Sequence, residues 1–195
     1  MEVIIGTSIF LLGLGVGSFI NVVTYRYNTG LSIIYGRSMC LSCGRMISWY
    51  ENIPLISFLL LGGRCRGCKT KLSWQYPLVE LATGLVFVAV GFTTGLLSNG
   101  GMFTLPILLN SLFMILITSL LLVIFIYDLR HTIIPDVFSY TFAGLALAGL
   151  IVFKGTELLS YPGYLDLLAG PILFVPFYGL WLVSRGRWIG LGDGK

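Results

Sequence analysis

The sequence predicts an all-α fold, a polytopic membrane helix bundle with a small cytosolic loop domain of the zinc-ribbon type. The first observation is composition: 56% of the 195 residues are hydrophobic and only 10% are charged, far from the balance of a soluble domain. The second is that five stretches have the roughly 20 apolar residues that a membrane-spanning helix needs. The third is a single sizeable polar segment, residues 28–76, which contains all four cysteines.

The predicted spans are helices, because backbone in lipid must satisfy its own hydrogen bonds and an open sheet cannot do so. The first span is predicted to be retained rather than cleaved as a secretory signal, since Glu2 replaces a basic start and no small-residue cleavage site follows. The five stretches are residues 3–25, 77–97, 103–127, 134–153 and 164–184.

Basic residues predict the orientation. If the N-terminus lies outside, segments 26–76, 128–133 and 185–195 lie in the cytosol and hold 11 of the 12 Lys and Arg, leaving only Lys154 outside. This asymmetry follows the positive-inside rule. The cytosolic excess of positive charge favours contact with anionic lipid of the bilayer, and nothing in the pattern indicates a nucleic-acid partner.

The cysteines form two short motifs, Cys40-x-x-Cys43 and Cys65-x-x-Cys68, separated by 21 residues. Disulfides are disfavoured in a reducing cytosol, whereas paired CxxC turns can bring four thiolates around Zn²⁺. A segment this short with few large apolar side chains needs a structural metal or another cross-link to be stable. The spacing therefore predicts a structural zinc site, with reduced thiols lacking metal and a redox pair as the alternatives.

Two aspartates at predicted membrane borders are candidates for catalysis. Asp128 ends a long apolar run, and Asp193 follows Gly190-Leu191-Gly192. Simple helix capping explains Asp128 poorly, because an acid at a helix C-terminus has the wrong sign for the dipole. Two carboxylates that lie close together share one proton and can act as base and acid. Both aspartates are predicted on the cytosolic face, with interfacial capping as the alternative.

Small and polar residues of the first span favour close helix packing. Gly13 and Gly17 form a small-xxx-small face, and Ser18 and Asn21 lie near it. Such a face lets two backbones approach, and the polar side chains can form an interhelical hydrogen bond. We expect packing rather than a binding site here.

Other polar residues have competing interpretations. Glu80 is predicted in the first turn of the second span, where it either caps the helix or contacts substrate, since an intramembrane carboxylate is a functional candidate. Asp136 is predicted to start the fourth span, and His131 to be a solvated loop residue. Pro171 and Pro176 are predicted to kink the fifth span.

The motifs together identify a family. The chain resembles the type IV prepilin leader peptidases, bacterial membrane enzymes of the GxGD aspartic class that cleave and N-methylate pilin-like proteins. The resemblance covers nearly the whole chain through Gly17–Arg26, the two CxxC pairs, Trp49–Ser57, Tyr76–Glu80, Asp128 with Ile134–Asp136, and Gly190–Asp193.

The resemblance implies a reaction and its participants. Asp128 and Asp193 would activate water to hydrolyse the bond after the leader's glycine in a prepilin or pseudopilin, at the cytosolic side of the bacterial inner membrane. S-adenosylmethionine would supply the methyl group to the new N-terminus, in the cysteine loop. There, Gly63-Arg64 resembles a Gly-Lys pair of the family, with an altered donor geometry.

The resemblance also divides the chain into a first transmembrane helix (1–27), a cytosolic four-cysteine domain (28–76) and a transmembrane peptidase domain (77–195). Family chains continue past the GxGD motif, so we expect this one to be C-terminally truncated or a naturally short form. The alternatives are a GxGD intramembrane or preflagellin-type peptidase without methylase activity, and a non-enzymatic membrane scaffold or transporter. The four-cysteine loop disfavours the former, and the lack of an internal repeat disfavours a transporter.

Overall fold

The computed structural model describes residues 2–98, 104–155, 162–185 and 187. Within these ranges the chain is almost entirely helical, with two isolated β-bridges and no longer strand. The helices are α1 (Glu2–Arg26), a 3-10 helix η1 (Trp49–Asn52), α2 (Ile56–Leu60), α3 (Gln75–Thr93), α4 (Leu105–His131), α5 (Asp136–Lys154) and α6 (Gly163–Ser184). The all-α prediction is confirmed.

Five of these helices, all except η1 and α2, are long and apolar enough to cross a membrane. Each overlaps one of the five predicted spans, so the prediction of a multi-pass membrane protein is confirmed. The segment between α1 and α3, residues 27–74, is the only long non-spanning segment among the described residues. We call it the cysteine domain.

Helices α1 and α3 pack with their backbones in close approach. A Cβ atom added to Gly13 would lie 2.7 Å from Gly84 Cα, and one added to Gly17 would lie 2.7 Å from Glu80 Cα. Asn21 Nδ2 also donates a hydrogen bond of 3.2 Å to the carbonyl of Tyr76 on α3. The predicted small-residue packing and its interhelical hydrogen bond are therefore confirmed.

The chain divides into two compact units, Met1–Val123 and Ile124–Lys195. In the first unit, Phe87 of α3 is fully buried against Ile9 of α1 and Leu97. The hydroxyl of Ser111 on α4 donates to Thr94 Oγ1 at 2.7 Å, which joins α4 to the end of α3.

In the second unit, Asp136 is the first residue of α5 and follows the N-cap residue Pro135, as predicted for helix initiation. An ion pair between Lys154 and Asp166 joins α5 to α6. The two internal prolines of α6 lie within a continuous helix from Gly163 to Ser184. The predicted kink stays a prediction.

Candidate metal centre and catalytic residues

The first cysteine motif is a tight turn closed by two backbone hydrogen bonds. The amide of Cys40 donates to the carbonyl of Arg45 at 2.9 Å, and the amide of Gly44 donates to the carbonyl of Cys40 at 2.8 Å. Gly44 has a φ of 70°, a left-handed conformation that glycine adopts at no steric cost. The turn presents both sulfur atoms on one side of the loop.

The second motif repeats this geometry residue by residue. The amide of Cys65 donates to the carbonyl of Thr70 at 2.9 Å, and the amide of Lys69 donates to the carbonyl of Cys65 at 3.0 Å. Lys69 has a φ of 60° and so takes the position that Gly44 has in the first turn. Two equivalent turns of this kind are the framework of a zinc-ribbon-like loop.

The two turns bring all four sulfur atoms together. The ligand atoms of Cys40, Cys43, Cys65 and Cys68 lie within 4.8 Å of one another, and the Sγ atoms of Cys40 and Cys68 are 3.8 Å apart. Four thiolates at about 2.3 Å from a tetrahedral Zn²⁺ would have sulfur separations of about 3.8 Å. The cluster therefore fits a metal ion with four sulfur ligands, as the spacing predicted.

Hydrogen bonds favour the thiolate, the metal-binding form of cysteine, at two of the four positions, Cys40 and Cys68. Backbone N–H groups of Cys43 and Ser42 lower the pKa of Cys40. The side-chain and backbone groups of Thr70 lower the pKa of Cys68 to about 6. The backbone N–H of Arg45 lowers the pKa of Cys43, but the side chains of Cys40 and Cys68 outweigh it and raise that pKa to about 11. Without a metal cation the four sulfurs compete for protons.

Glu51 of η1 connects the two turns electrostatically. Its carboxylate accepts from Arg45 Nη2 at 3.1 Å through both oxygens and lies 3.6 Å from Arg66 Nη1. It also accepts from the amide of Ser48 at 3.0 Å, and only 5% of the side chain is exposed. Glu51 is not among the site residues predicted above, although Ser48-x-x-Glu51 has the pattern of a capping box, which indicates its hydrogen bond to the amide of Ser48.

Gly63 and Arg64 lie directly before the second turn. Gly63 has a φ of 65°, and a Cβ atom there would lie 3.0 Å from Phe58 Cζ. Arg64 is exposed and pairs with Lys71 through an isolated β-bridge of the backbone. An exposed guanidinium can bind a carboxylate through two parallel hydrogen bonds.

Glu80 lies deeper in the membrane helix than the sequence analysis predicted. Helix α3 begins at Gln75, so Glu80 is outside the first turn and cannot be a first-turn dipole partner. Its carboxylate is buried and accepts a hydrogen bond of 2.8 Å from the amide of Leu55. The capping prediction is wrong because the helix starts before Pro77, and substrate contact stays a prediction.

Asp128 lies in the last turn of α4 and is partly buried. Its carbonyl accepts from the amide of Thr132 at 2.6 Å, which closes the helix end. No described residue forms a hydrogen bond or an ion pair with its carboxylate. The predicted partner, Asp193, lies outside the described residues, as does the rest of the Gly190–Asp193 motif.

His131 is exposed, as predicted, but it is the last residue of α4 rather than a loop residue, because the helix continues past the apolar span. Its ring stacks on that of Tyr127 with centroids 4.2 Å apart. Its Nδ1 lies 3.2 Å from the carbonyl oxygen of Tyr127. The contacts of the ring are thus local to the helix end.

The fold and the cysteine cluster define a polytopic helical membrane protein with a four-cysteine loop between its first two spans. The model of the Bacterial Peptidase A24 N-terminal domain matches residues 11–94. The chain is 39% identical over 194 residues to the "Prepilin leader peptidase/N-methyltransferase" of Myxococcus xanthus and 33% identical over 198 residues to the protein of that name from Klebsiella pneumoniae. A third relative of that name, from Pseudomonas aeruginosa, is 34% identical over 213 residues.

These matches cover 95%, 97% and 95% of the chain respectively, and 52%, 81% and 68% of the relatives. The chain thus spans about half the length of the Myxococcus xanthus relative. No solved structure matches it. The chain belongs to the prepilin leader peptidase/N-methyltransferase family, and the resemblance predicted from its motifs is confirmed.

Proposed function

We propose that this protein is a membrane aspartic peptidase that removes the leader peptide of prepilins or pseudopilins. The observation that carries the proposal is the match of 95% of the chain to a relative named as a prepilin leader peptidase/N-methyltransferase. Asp128 and Asp193 are the proposed catalytic pair. The position of Asp128 in the last turn of α4, where it is only partly buried, supports this role.

The proposed hydrolysis uses one carboxylate and one carboxylic acid. The ionised aspartate takes a proton from water as the water oxygen attacks the carbonyl carbon after the leader's glycine. The protonated aspartate gives its proton to the carbonyl oxygen. When the tetrahedral intermediate collapses, the C–N bond breaks, the aspartate protonated by water gives its proton to the leaving amine, and the other aspartate takes a proton from a hydroxyl of the intermediate. The leader and the mature N-terminus are then released.

We propose N-methylation of that new amine as the second activity, with the cysteine domain contributing the site. Zinc bound by the four cysteines would hold the two turns together, and S-adenosylmethionine would supply the methyl group when bound. The exposed guanidinium of Arg64, set beside Gly63, would meet the carboxylate of the methyl donor. The lone pair of the neutral amine would take the methyl group as the methyl carbon–sulfur bond of the donor breaks and leaves a neutral thioether, and the methylated amine would then lose a proton.

The proposed orientation has the N-terminus outside and the cysteine domain in the cytosol of a bacterium, at its inner membrane. The distribution of basic residues supports it. Prepilin leaders would then meet Asp128 on the cytosolic side. An outside location of the cysteine domain would expose its thiols to an oxidising compartment, which disfavours a thiolate metal site.

The decisive experiment incubates the purified chain in proteoliposomes with a tagged prepilin and S-adenosylmethionine. Intact mass reports leader loss and methyl gain separately. We expect Asp128→Asn, Asp193→Asn and the double variant to be about equally inactive in cleavage, because members of one catalytic unit have strongly non-additive effects. Asp136→Asn is the matched control, since Asp136 starts a helix, and it should cleave.

Three results would contradict parts of the proposal. Cleavage by Asp128→Asn at the wild-type rate would exclude Asp128 as a catalytic residue. Cleavage without methyl gain in the wild type would favour a peptidase of the preflagellin type. Complete absence of processing by the full-length protein would favour a scaffold or a transporter.

A further inference from the structure

The short helix α2 presents apolar side chains that the described part of the chain leaves exposed. Ile56, Leu59 and Leu60 are 54%, 71% and 82% exposed, while Ser57 and Phe58 face inward. A helix with one inward polar residue and three outward aliphatic residues is unusual in a loop surrounded by water. These three side chains together form an apolar surface that suits an apolar neighbour.

The start of α2 is fixed close to the membrane helix α3. The amide of Leu55, the residue before α2, donates 2.8 Å to the carboxylate of Glu80. Glu80 lies five residues into α3, about 7.5 Å along its axis at about 1.5 Å per residue, and helix side chains lean toward the N-terminus. Leu55 is therefore level with the first turns of α3, where a spanning helix enters the bilayer.

The backbone at Leu55 supports a fixed rather than an accidental position. Leu55 has φ 58° and ψ −50°, and the amide of Ile56 donates to the carbonyl of Pro54 at 2.6 Å. This is the rare, strained form of γ-turn for a residue with a side chain. Such a turn persists only where surrounding contacts over-determine it, and the Glu80 hydrogen bond is one of these contacts.

Aromatic and basic groups beside α2 suit the boundary between acyl chains and headgroups. Trp74, immediately before α3, is exposed and packs against Phe58 with centroids 5.0 Å apart. Tryptophan is enriched at this level of membrane proteins. The cysteine domain also has six Lys and Arg and only one acidic residue, Glu51, which complements anionic headgroups.

We propose that α2 is an interfacial anchor whose Ile56, Leu59 and Leu60 side chains insert among lipid acyl chains. Glu80 holds the anchor at this depth through Leu55. The cysteine domain is thereby kept against the bilayer surface rather than free to tumble on its two connections. The proposal depends on the membrane embedding of α1 and α3 and not on the proposed peptidase activity.

The test places a single tryptophan at position 60 by Leu60→Trp, after replacement of the four native tryptophans by phenylalanine, in vesicles of mixed neutral and anionic phospholipid. The control is Leu41→Trp in the same background, because Leu41 is 76% exposed on the first cysteine turn. Lipids brominated near the upper end of the acyl chains should quench position 60 at least about twofold more than position 41, as expected for a group buried at the acyl boundary. Aqueous acrylamide should show the opposite preference.

A second measurement keeps the native tryptophans. A benzophenone amino acid at position 60 or at position 41 is photolysed in the same vesicles, and intact mass identifies the adduct. Lipid adducts at position 60 and none at position 41 are expected. Absence of a lipid adduct at position 60, or a cross-link there to a second copy of the chain, would overturn the proposal whatever the quenching result.

Discussion

Replacement of Gly17 by alanine should weaken the contact between α1 and α3. The added Cβ atom would lie 2.7 Å from Glu80 Cα, with Thr83 Oγ1 and Val79 O each at 3.0 Å. Non-bonded carbon atoms rest at about 3.5–4.0 Å, so the overlap is about 1 Å. The nearest atom belongs to the backbone, and it cannot rotate away as the end of a side chain would.

The magnitude follows from this overlap. Overpacking of a close interface costs about 1–3 kcal/mol. Alanine also has a helix propensity about 1 kcal/mol better than that of glycine, which partly conceals the loss. Gly15 is the matched control, because it lies in the same helix and a Cβ atom there meets nothing within 4 Å. Gly17→Ala should therefore be about 1–3 kcal/mol less stable than Gly15→Ala.

The assay is unfolding of the purified chain in mixed micelles by added SDS, followed by far-UV circular dichroism. The comparison of the two alanine variants cancels the difference in propensity. If Gly17→Ala matches Gly15→Ala within about 0.5 kcal/mol, a common scatter for independent sites, then the close approach of the two helices is not what the structure indicates.

Three further predictions concern the cysteine domain. The amide of Ser48, and then Arg45, hold the pKa of Glu51 below its usual 4.5, so its contribution to stability is full above that value and is lost as the pH falls through the lower folded pKa. The unfolding midpoint of Glu51→Gln should therefore be lower than that of the wild type at neutral pH and equal to it in acid. A difference that does not change with pH would contradict this. Elemental analysis should give one zinc per chain and much less in Cys68→Ser, whereas a zinc-free wild type would exclude the metal site. A membrane-impermeant reagent should reach Lys154 from outside the cell and a reporter cysteine at Arg187 only from inside, and the reverse would invert the proposed orientation.

The five spans could be predicted because the bilayer imposes a length and a composition on every spanning helix. The four-cysteine cluster could be predicted because CxxC spacing brings the two sulfur atoms of each pair together locally. Two such pairs in one short polar segment are typical of a four-sulfur metal site. Gly13 and Gly17 could be placed at an interface for a similar reason, since only close backbones need that pattern. In each case the determining physics is local in the sequence.

The start of α3 could not be predicted in the same way. A proline favours the first turn of a helix, which suggested that Pro77 marks the beginning, but Gln75 and Tyr76 already have helical conformation. A predicted start at Pro77 placed Glu80 in the first turn of α3, where its carboxylate would interact with the helix dipole. Its actual partner, the amide of Leu55, is 25 positions away, and no spacing rule connects the two.

Two glutamates show why such contacts matter more than their number suggests. Glu51 joins both cysteine turns through Arg45 and Arg66, and Glu80 joins α2 to the membrane helix through Leu55. A buried carboxylate without partners is costly. The segments that supply the partners of each glutamate must therefore stay in place beside it. The motifs Trp49–Ser57 and Tyr76–Glu80, which contain these glutamates, can therefore serve the function by positioning the cysteine domain, without a catalytic group of their own. They determine where the cysteine domain is held relative to α1 and α3, and a methyl-transfer site in that domain could act on a membrane-held amine only if that distance is fixed.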